Sequence, residues 1–324
     1  MSKIAQKILA KKIRSAFGAA DKKRDVEKTS PSDVIRFDNI RYGDEKPEKW
    51  QLLDVYRPKT GTIGATESTE NTENTENTES PGAFEKLPVI VNVHGGAWVY
   101  GDKEVYQFYC MSLAQHGFAL VNFSYRLAPE VKFPASLEDT EKVFNWIEAN
   151  AEKYGFDLNN VFAVGDSAGA HILTLYASAL TNKEYAGNYS FISTKKKLKL
   201  RGLALNCGKY EMAEGLKNDK GAQLLLETLL PGKITKEKLE LLDASAHLTG
   251  DFPPAFVMTS LGDSMKPQAP VINKALEAAG VKYEYHCYGT EQMPLWHVFH
   301  CDPQLPEAVV CNDEECVFFK SLIK

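Results

Sequence analysis

The chain has 324 residues, 44% of them hydrophobic, and a formal net charge of −5. That length suits one large α/β domain with elaborations rather than two independent domains. The acidic balance leaves no basic footprint for nucleic acid, and no apolar run is long enough to span a membrane. Six scattered cysteines without a C-x-x-C pair argue for reduced thiols in a cytoplasmic protein, with neither zinc nor disulfides.

Residues 1–33 form a separate segment that opens with a helix over 1–20. Ile4, Ile8, Leu9, Ile13 and Phe17 share one face, and Lys3, Lys7, Lys11 and Arg14 the other. There is no continuous apolar h-region, so a secretory signal is not expected. A helix that covers a pocket is preferred over a membrane-surface helix or a targeting peptide. From residue 34 the chain reads as one domain to residue 324. Two strands come first, over 34–42 and 50–56, joined by a charged turn at 44–47. Residues 66–80 are low-complexity, with Thr-Glu-Asn repeated between 69 and 77. That tract is polar and acidic and is expected to be a disordered surface loop.

The core begins at a strand over 88–93. Helix 105–116, strand 118–125, helix 134–154, strand 161–164 and helix 170–180 follow. Strands over 198–206, 254–260 and 281–288 then alternate with helices over 267–279 and 303–323. This alternation predicts an α/β fold, a mostly parallel sheet with helices on both faces. Residues 208–247 break the rhythm as a helical insertion rich in leucine, Leu224 to Leu226 with Leu229 and Leu230. With the N-terminal helix it is expected to form a lid.

In such sheets, sites form at the carboxyl ends of strands. Gly165-Asp166-Ser167-Ala168-Gly169 sits between an apolar strand and an Ala/Leu-rich helix. The bare G-x-S-x-G pattern arises by chance in roughly one chain in ten of this size. The strand before it and the helix after it make it a candidate nucleophile elbow. A serine needs a base, and the base needs a group to orient it. His171 lies one turn down the elbow helix and reads as packing, and His94 as a brace for its glycine loop. His116, His247 and His286 have no supporting pattern. His297 and His300 remain, in a segment that can swing over the sheet edge. Asp263 follows a strand in Ser260-Leu261-Gly262-Asp263, with a glycine that eases the turn. The order Ser, Asp, His is that of α/β-hydrolases. Gly95-Gly96-Ala97 supplies bare backbone for an oxyanion site, together with the Ala168 N–H. Trp98 and Trp296 adjoin the loop and the base and are candidate walls of a small acyl pocket.

The chain resembles the bacterial members of the hormone-sensitive lipase family of α/β-hydrolase esterases. The resemblance rests on His94-Gly95-Gly96-Ala97-Trp98, Tyr125-Arg126-Leu127-Ala128-Pro129-Glu130, Phe133-Pro134-Ala135 with Glu138-Asp139, the Ser167 pentapeptide, Pro253-Pro254, Gly262-Asp263 and His297-Val298-Phe299. It covers about residue 88 onward. It implies that His297 is the catalytic histidine. It implies oxyanion donors at Gly96, Ala97 and Ala168, with Gly95 shaping the loop, and a cap built from the N-terminal region and the 208–247 insertion. Ala97 replaces the commonest third glycine, and Met265 stands where leucine is usual.

The expected function is hydrolysis of short-chain, acetyl-like carboxylic esters by Ser167, His297 and Asp263. An amidase such as a formamidase on the same machinery is the alternative, and a non-catalytic hydrolase-fold binding protein is a third reading. No metal or cofactor is implied. The expected partner is a small-molecule ester, and the oligomeric state, homo-oligomer included, is left open.

Overall fold

The computed structural model describes residues 2–44, 49–59, 84–213, 216 and 219–324. The 66–80 tract and most of the 44–47 turn lie outside the described residues. The elements run α1 (Lys3–Asp25), β1 (Val34–Arg41), β2 (Leu52–Pro58), β3 (Leu87–Val93), α2 (Gln107–Ala114), β4 (Ala119–Ser124), α3 (Ala135–Ala149), α4 (Ala151–Tyr154), β5 (Phe156–Asp166), α5 (Ala168–Thr181), α6 (Lys183–Ala186) and β6 (Leu200–Asn206). They continue as α7 (Lys220–Leu229), α8 (Lys236–Leu242), β7 (Ala255–Ser260), α9 (Ala269–Ala278), β8 (Tyr283–Tyr288) and α10 (Pro306–Ser321).

The strands form one sheet in the order β1-β2-β4-β3-β5-β6-β7-β8. β2 runs antiparallel to both β1 and β4, and every other neighbouring pair is parallel. The apolar runs explain this. Successive side chains on a strand point to opposite faces, so a strand with no polar alternation must be covered twice. On β5, Val161 and Ala163 join one core with α3, α5 and α9. Phe162 and Val164 join a second core with α2 and α10.

The sheet register sets where the chemistry can lie. Asp166 at the end of β5 is opposite Asn206 at the end of β6, and Asn206 is opposite Met258 on β7. Adjacent strands are about 4.8 Å apart, so residues just past these ends gather over one edge.

Of the two segments expected to form a cap, α1 packs against α7. The helix predicted over 1–20 continues to Asp25. Arg24 holds its last turn by bonding Asp25 (2.6 Å) and the Val105 carbonyl (2.6 Å). Ala10 of α1 is buried with Val99 and Ala128, and Ile13, Ala97 and Leu225 of α7 pack against them. Arg14 donates to the carbonyls of Val99 (2.7 Å) and Ala128 (3.1 Å) and pairs with Glu130. In the insertion, Asp219 and Thr235 cap α7 and α8 through their side-chain oxygens. Among the described residues, no helix is long and apolar enough to cross a membrane.

Phe162 tests the second core. Its ring is fully buried, stacked on Phe319 at 4.8 Å and edge-on to Phe118 at 6.0 Å. Phe162→Ala is expected to destabilise the chain by about 3–5 kcal/mol, measured by urea denaturation.

Candidate active site

Ser167 stands between β5 and α5 with φ 51° and ψ −114°, a region that costs a non-glycine residue about 1–3 kcal/mol. Its N–H donates to Asn206 O (2.9 Å), and its carbonyl accepts from His171 N–H (3.2 Å). The flanking glycines are required by contact. A Cβ on Gly165 would lie 2.8 Å from the Gly169 carbonyl, and one on Gly169 would overlap the Val93 carbonyl oxygen outright. The turn therefore closes only with both glycines, and it leaves Ser167 partly exposed.

The loop after β3 lies alongside. Gly96, Ala97 and Trp98 have φ of 111°, 52° and 59°. A side chain on Gly96 would meet the Tyr100 carbonyl. Among the described residues, the backbone N–H groups of Gly96, Ala97 and Ala168 have no hydrogen-bond partner. Gly95 is different, and its place in the donor set is corrected. Its N–H is buried and donates to Asp166 Oδ1 (3.0 Å) and to the Tyr106 hydroxyl (3.0 Å). A donor already bound in this way cannot serve an oxyanion. His94 braces the loop through Nδ1–H to the Gly95 carbonyl (2.7 Å) and stacks on Tyr125 at 4.0 Å. Burial pushes its pKa down to about 4, so it is neutral.

The acid and base loops are tied to each other. Gly262 N–H donates to Pro294 O (2.7 Å), and the Ser260 hydroxyl donates to Trp296 O (3.2 Å). Gly262 was expected to ease a turn, but its role is clearance. A Cβ there would collide with the Leu295 carbonyl. His297 Nδ1 lies 2.7 Å from Asp263 Oδ1. A carboxylate only accepts, so Nδ1 carries the proton and Nε2 keeps its lone pair. Asp263 also accepts from Thr259 Oγ1 (2.9 Å) and Met265 N–H (2.8 Å). Burial raises its pKa, but the hydrogen bond and charge of His297 outweigh that and hold it below the usual carboxylate value. Met265 acts through its backbone, which is why its departure from leucine does not disturb the dyad.

His300 is placed elsewhere. It is fully buried, edge-on to the Tyr109 ring at 5.0 Å. Burial lowers its pKa to about 3. Trp98 is 8% exposed and Trp296 53% exposed. Two contributors escaped the sequence reading. His171, read as packing, accepts from Trp98 Nε1 (3.2 Å) at Nδ1 and donates from Nε2 to Leu242 O (2.8 Å). It thus links the glycine loop, the elbow helix and α8. Asp166, the variable residue of the pentapeptide, binds the Gly95 N–H and accepts from Tyr106 OH (2.8 Å). The only available signal was a charged residue inside an apolar strand end.

A strained serine at a strand-to-helix elbow, a neighbouring glycine loop with unbonded backbone N–H groups, and a His–Asp pair two strands away are the features of an α/β-hydrolase of the carboxylesterase class. The comparisons agree. The BD-FAE family model matches residues 79–273, a span that holds Gly96, Ser167 and Asp263 and stops short of His297. Versiconal hemiacetal acetate esterase from Dothistroma septosporum is 26% identical over 80% of this chain and 80% of its own length. Carboxylesterase NlhH from Mycobacterium tuberculosis is 28% identical over 62% of this chain and 64% of its own. Esterase B from Lactobacillus rhamnosis, solved with a tributyrin phosphonate inhibitor, matches 99% of this chain and 96% of that one at a TM-score of 0.84 and 26% identity. The chain belongs to the BD-FAE family, within the hormone-sensitive-lipase-like esterases.

Asp166 gives this site a pH signature. Burial raises its pKa to about 6, against about 3.9 when unfolded. Between those values the folded state binds more protons, so stability falls as pH rises through the window, by about 3 kcal/mol in all. Above it the contribution is constant. In Asp166→Asn the pH dependence should lose this component while that of buried Glu315, raised to about 7, remains, so the difference in urea midpoint between the two proteins from pH 4 to 7 should track the Asp166 window.

Proposed function

We propose that the chain hydrolyses short-chain carboxylic esters through an acyl-enzyme on Ser167. The carrying observation is the 2.7 Å Asp263–His297 hydrogen bond, which fixes the imidazole proton on Nδ1. Nε2 is then the acceptor for the Ser167 proton as the hydroxyl attacks the acyl carbonyl. The oxygen that becomes negative is met by the N–H groups of Gly96, Ala97 and Ala168, each worth about 3–4 kcal/mol in the transition state. Asp263 stabilises the imidazolium, which protonates the departing alcohol. Water repeats the sequence on the acyl-enzyme and frees the acid.

The preference for short acyl groups rests on Trp98. Its bulky indole follows the oxyanion loop and is held by His171, which limits the room beside the carbonyl carbon. The acetate and tributyrin in the names of the related esterases are consistent with this. In this reading α1 and the 208–247 insertion form the cap. Arg14 connects that cap to the Val99 and Ala128 carbonyls. We place the protein in the cytoplasm, with its thiols reduced.

The test is turnover of p-nitrophenyl acetate, butyrate and a long-chain ester. The wild type should favour the short esters. Ser167→Ala should lose at least about a thousandfold in kcat, and Asp263→Asn about 10⁴-fold. Faster turnover of the long-chain ester would overturn the acyl preference. Faster turnover of matched anilides would transfer the site to amides.

A further inference from the structure

Cys207 directly follows β6 in a left-handed conformation, φ 49°, and is almost fully buried. Its backbone N–H donates to Met258 O (2.8 Å), and its sulfur lies 3.8 Å from Met258 Sδ. The thiol also interacts with the Asp263 carboxylate and the Val298 N–H. The hydrolytic steps make no use of it. Yet Cys207 Sγ, an Asp263 oxygen and a His297 ring nitrogen all lie within 4.8 Å of one another.

A thiolate, an imidazole and a carboxylate form a donor set suited to zinc and its heavier congener cadmium. Donors around a tetrahedral zinc are roughly 3.3–3.7 Å apart, so the sulfur needs to approach by about 1 Å, while the Nδ1–Oδ1 pair, now hydrogen-bonded at 2.7 Å, opens by less than about 1 Å as its proton leaves. The carboxylate is already oriented by Thr259 Oγ1 and Met265 N–H, the kind of outer support that ligating carboxylates have. His297 is the partly exposed member, at 32%, and gives the ion its entry and its open fourth position.

The geometry points to an inhibitory site for a thiophilic divalent cation, formed by Cys207, Asp263 and His297. The ion binds Sγ, the carboxylate and Nδ1. The thiol releases its proton to solvent, and the Nδ1 proton is replaced by one on Nε2. The ion's two positive charges are balanced by the thiolate and the carboxylate, with no change of oxidation state. An imidazole protonated at Nε2 cannot accept the Ser167 proton, so the bound ion switches hydrolysis off. That last step rests on the proposed esterase reading, whereas coordination does not.

The experiment uses the full chain with Cys287→Ser, which removes the one exposed cysteine. Cadmium is titrated into this protein carrying Ser167→Ala, and the ultraviolet cadmium–thiolate charge-transfer band is followed. One equivalent should develop the band, and Cys207→Ser should abolish it. Zinc should inhibit ester hydrolysis reversibly, with EDTA restoring it. Cys207→Ser should raise the half-inhibitory zinc concentration at least about tenfold, measured against that variant's own metal-free rate, since even outer-shell changes cost that much. If Cys207→Ser does not fold, His297→Gln in the Cys207 protein should weaken cadmium binding by a similar factor. A band that survives Cys207→Ser, or zinc inhibition equal in both proteins, overturns the site. A band with no ester turnover in any protein supports the site and counts against the esterase reading.

Discussion

Ser167 occupies backbone angles that a residue with a side chain holds only when its surroundings leave no alternative. Those surroundings are the close approach of α5 to β3. A side chain on Gly169 would collide with the Val93 carbonyl, and one on Gly165 with the Gly169 backbone. β5 lies between β3 and β6, so the strain is shared with the most heavily covered part of the sheet. The free N–H of Ala168 and the position of the serine both follow from this one contact. Relaxing it would lower the energy of the turn and remove the geometry that gives the turn its use.

The same logic orders the rest of the site. Each of these groups is held by several hydrogen bonds, most of them to side chains. Gly95 is fixed by Asp166 and Tyr106, and Asp263 by Thr259, Met265 and His297. The motif residues around Arg126 extend this outward. Its guanidinium pairs with Glu138 and Asp139, both at 2.7 Å, and Asp139 also accepts from Gln51 Nε2 at 2.7 Å. A few residues further on, Glu130 reaches Arg14 of α1. Charges buried in pairs are a poor source of net stability. Here they fix the segment that runs from the first strands to α1.

Much of this was legible in the sequence because it is local. Apolar runs gave the strands, and paired glycines gave the elbow and the loop after β3. What escaped depended on partners distant in the chain. Nothing near Gly95 announces that its N–H is bound 71 residues away by Asp166. Gly262 looks like a turn glycine until the Leu295 carbonyl is placed against it. Cys207 looked like one thiol among six, because its proximity to Asp263 and His297 arises only when β6 and β7 pair. The last turn of α1 was missed because residues 21–25 lack apolar spacing, and Arg24 holds them by a bond to the Val105 carbonyl.

The imidazole of His171 is used on both sides, as acceptor from Trp98 and donor to Leu242. Burial keeps it neutral, with its pKa down to about 4, so the direction of this chain of bonds is fixed. Under the proposed function, an acyl tail that pushed the Trp98 indole aside would leave both the indole N–H and the Nδ1 lone pair without partners, at a cost of about 1–3 kcal/mol for each orphaned group. On the proposed reading of Trp98 as a pocket wall, selection by tail length would then take the form of a threshold: chains accepted freely up to the length that touches the indole, and beyond it the same fixed penalty for every longer homologue.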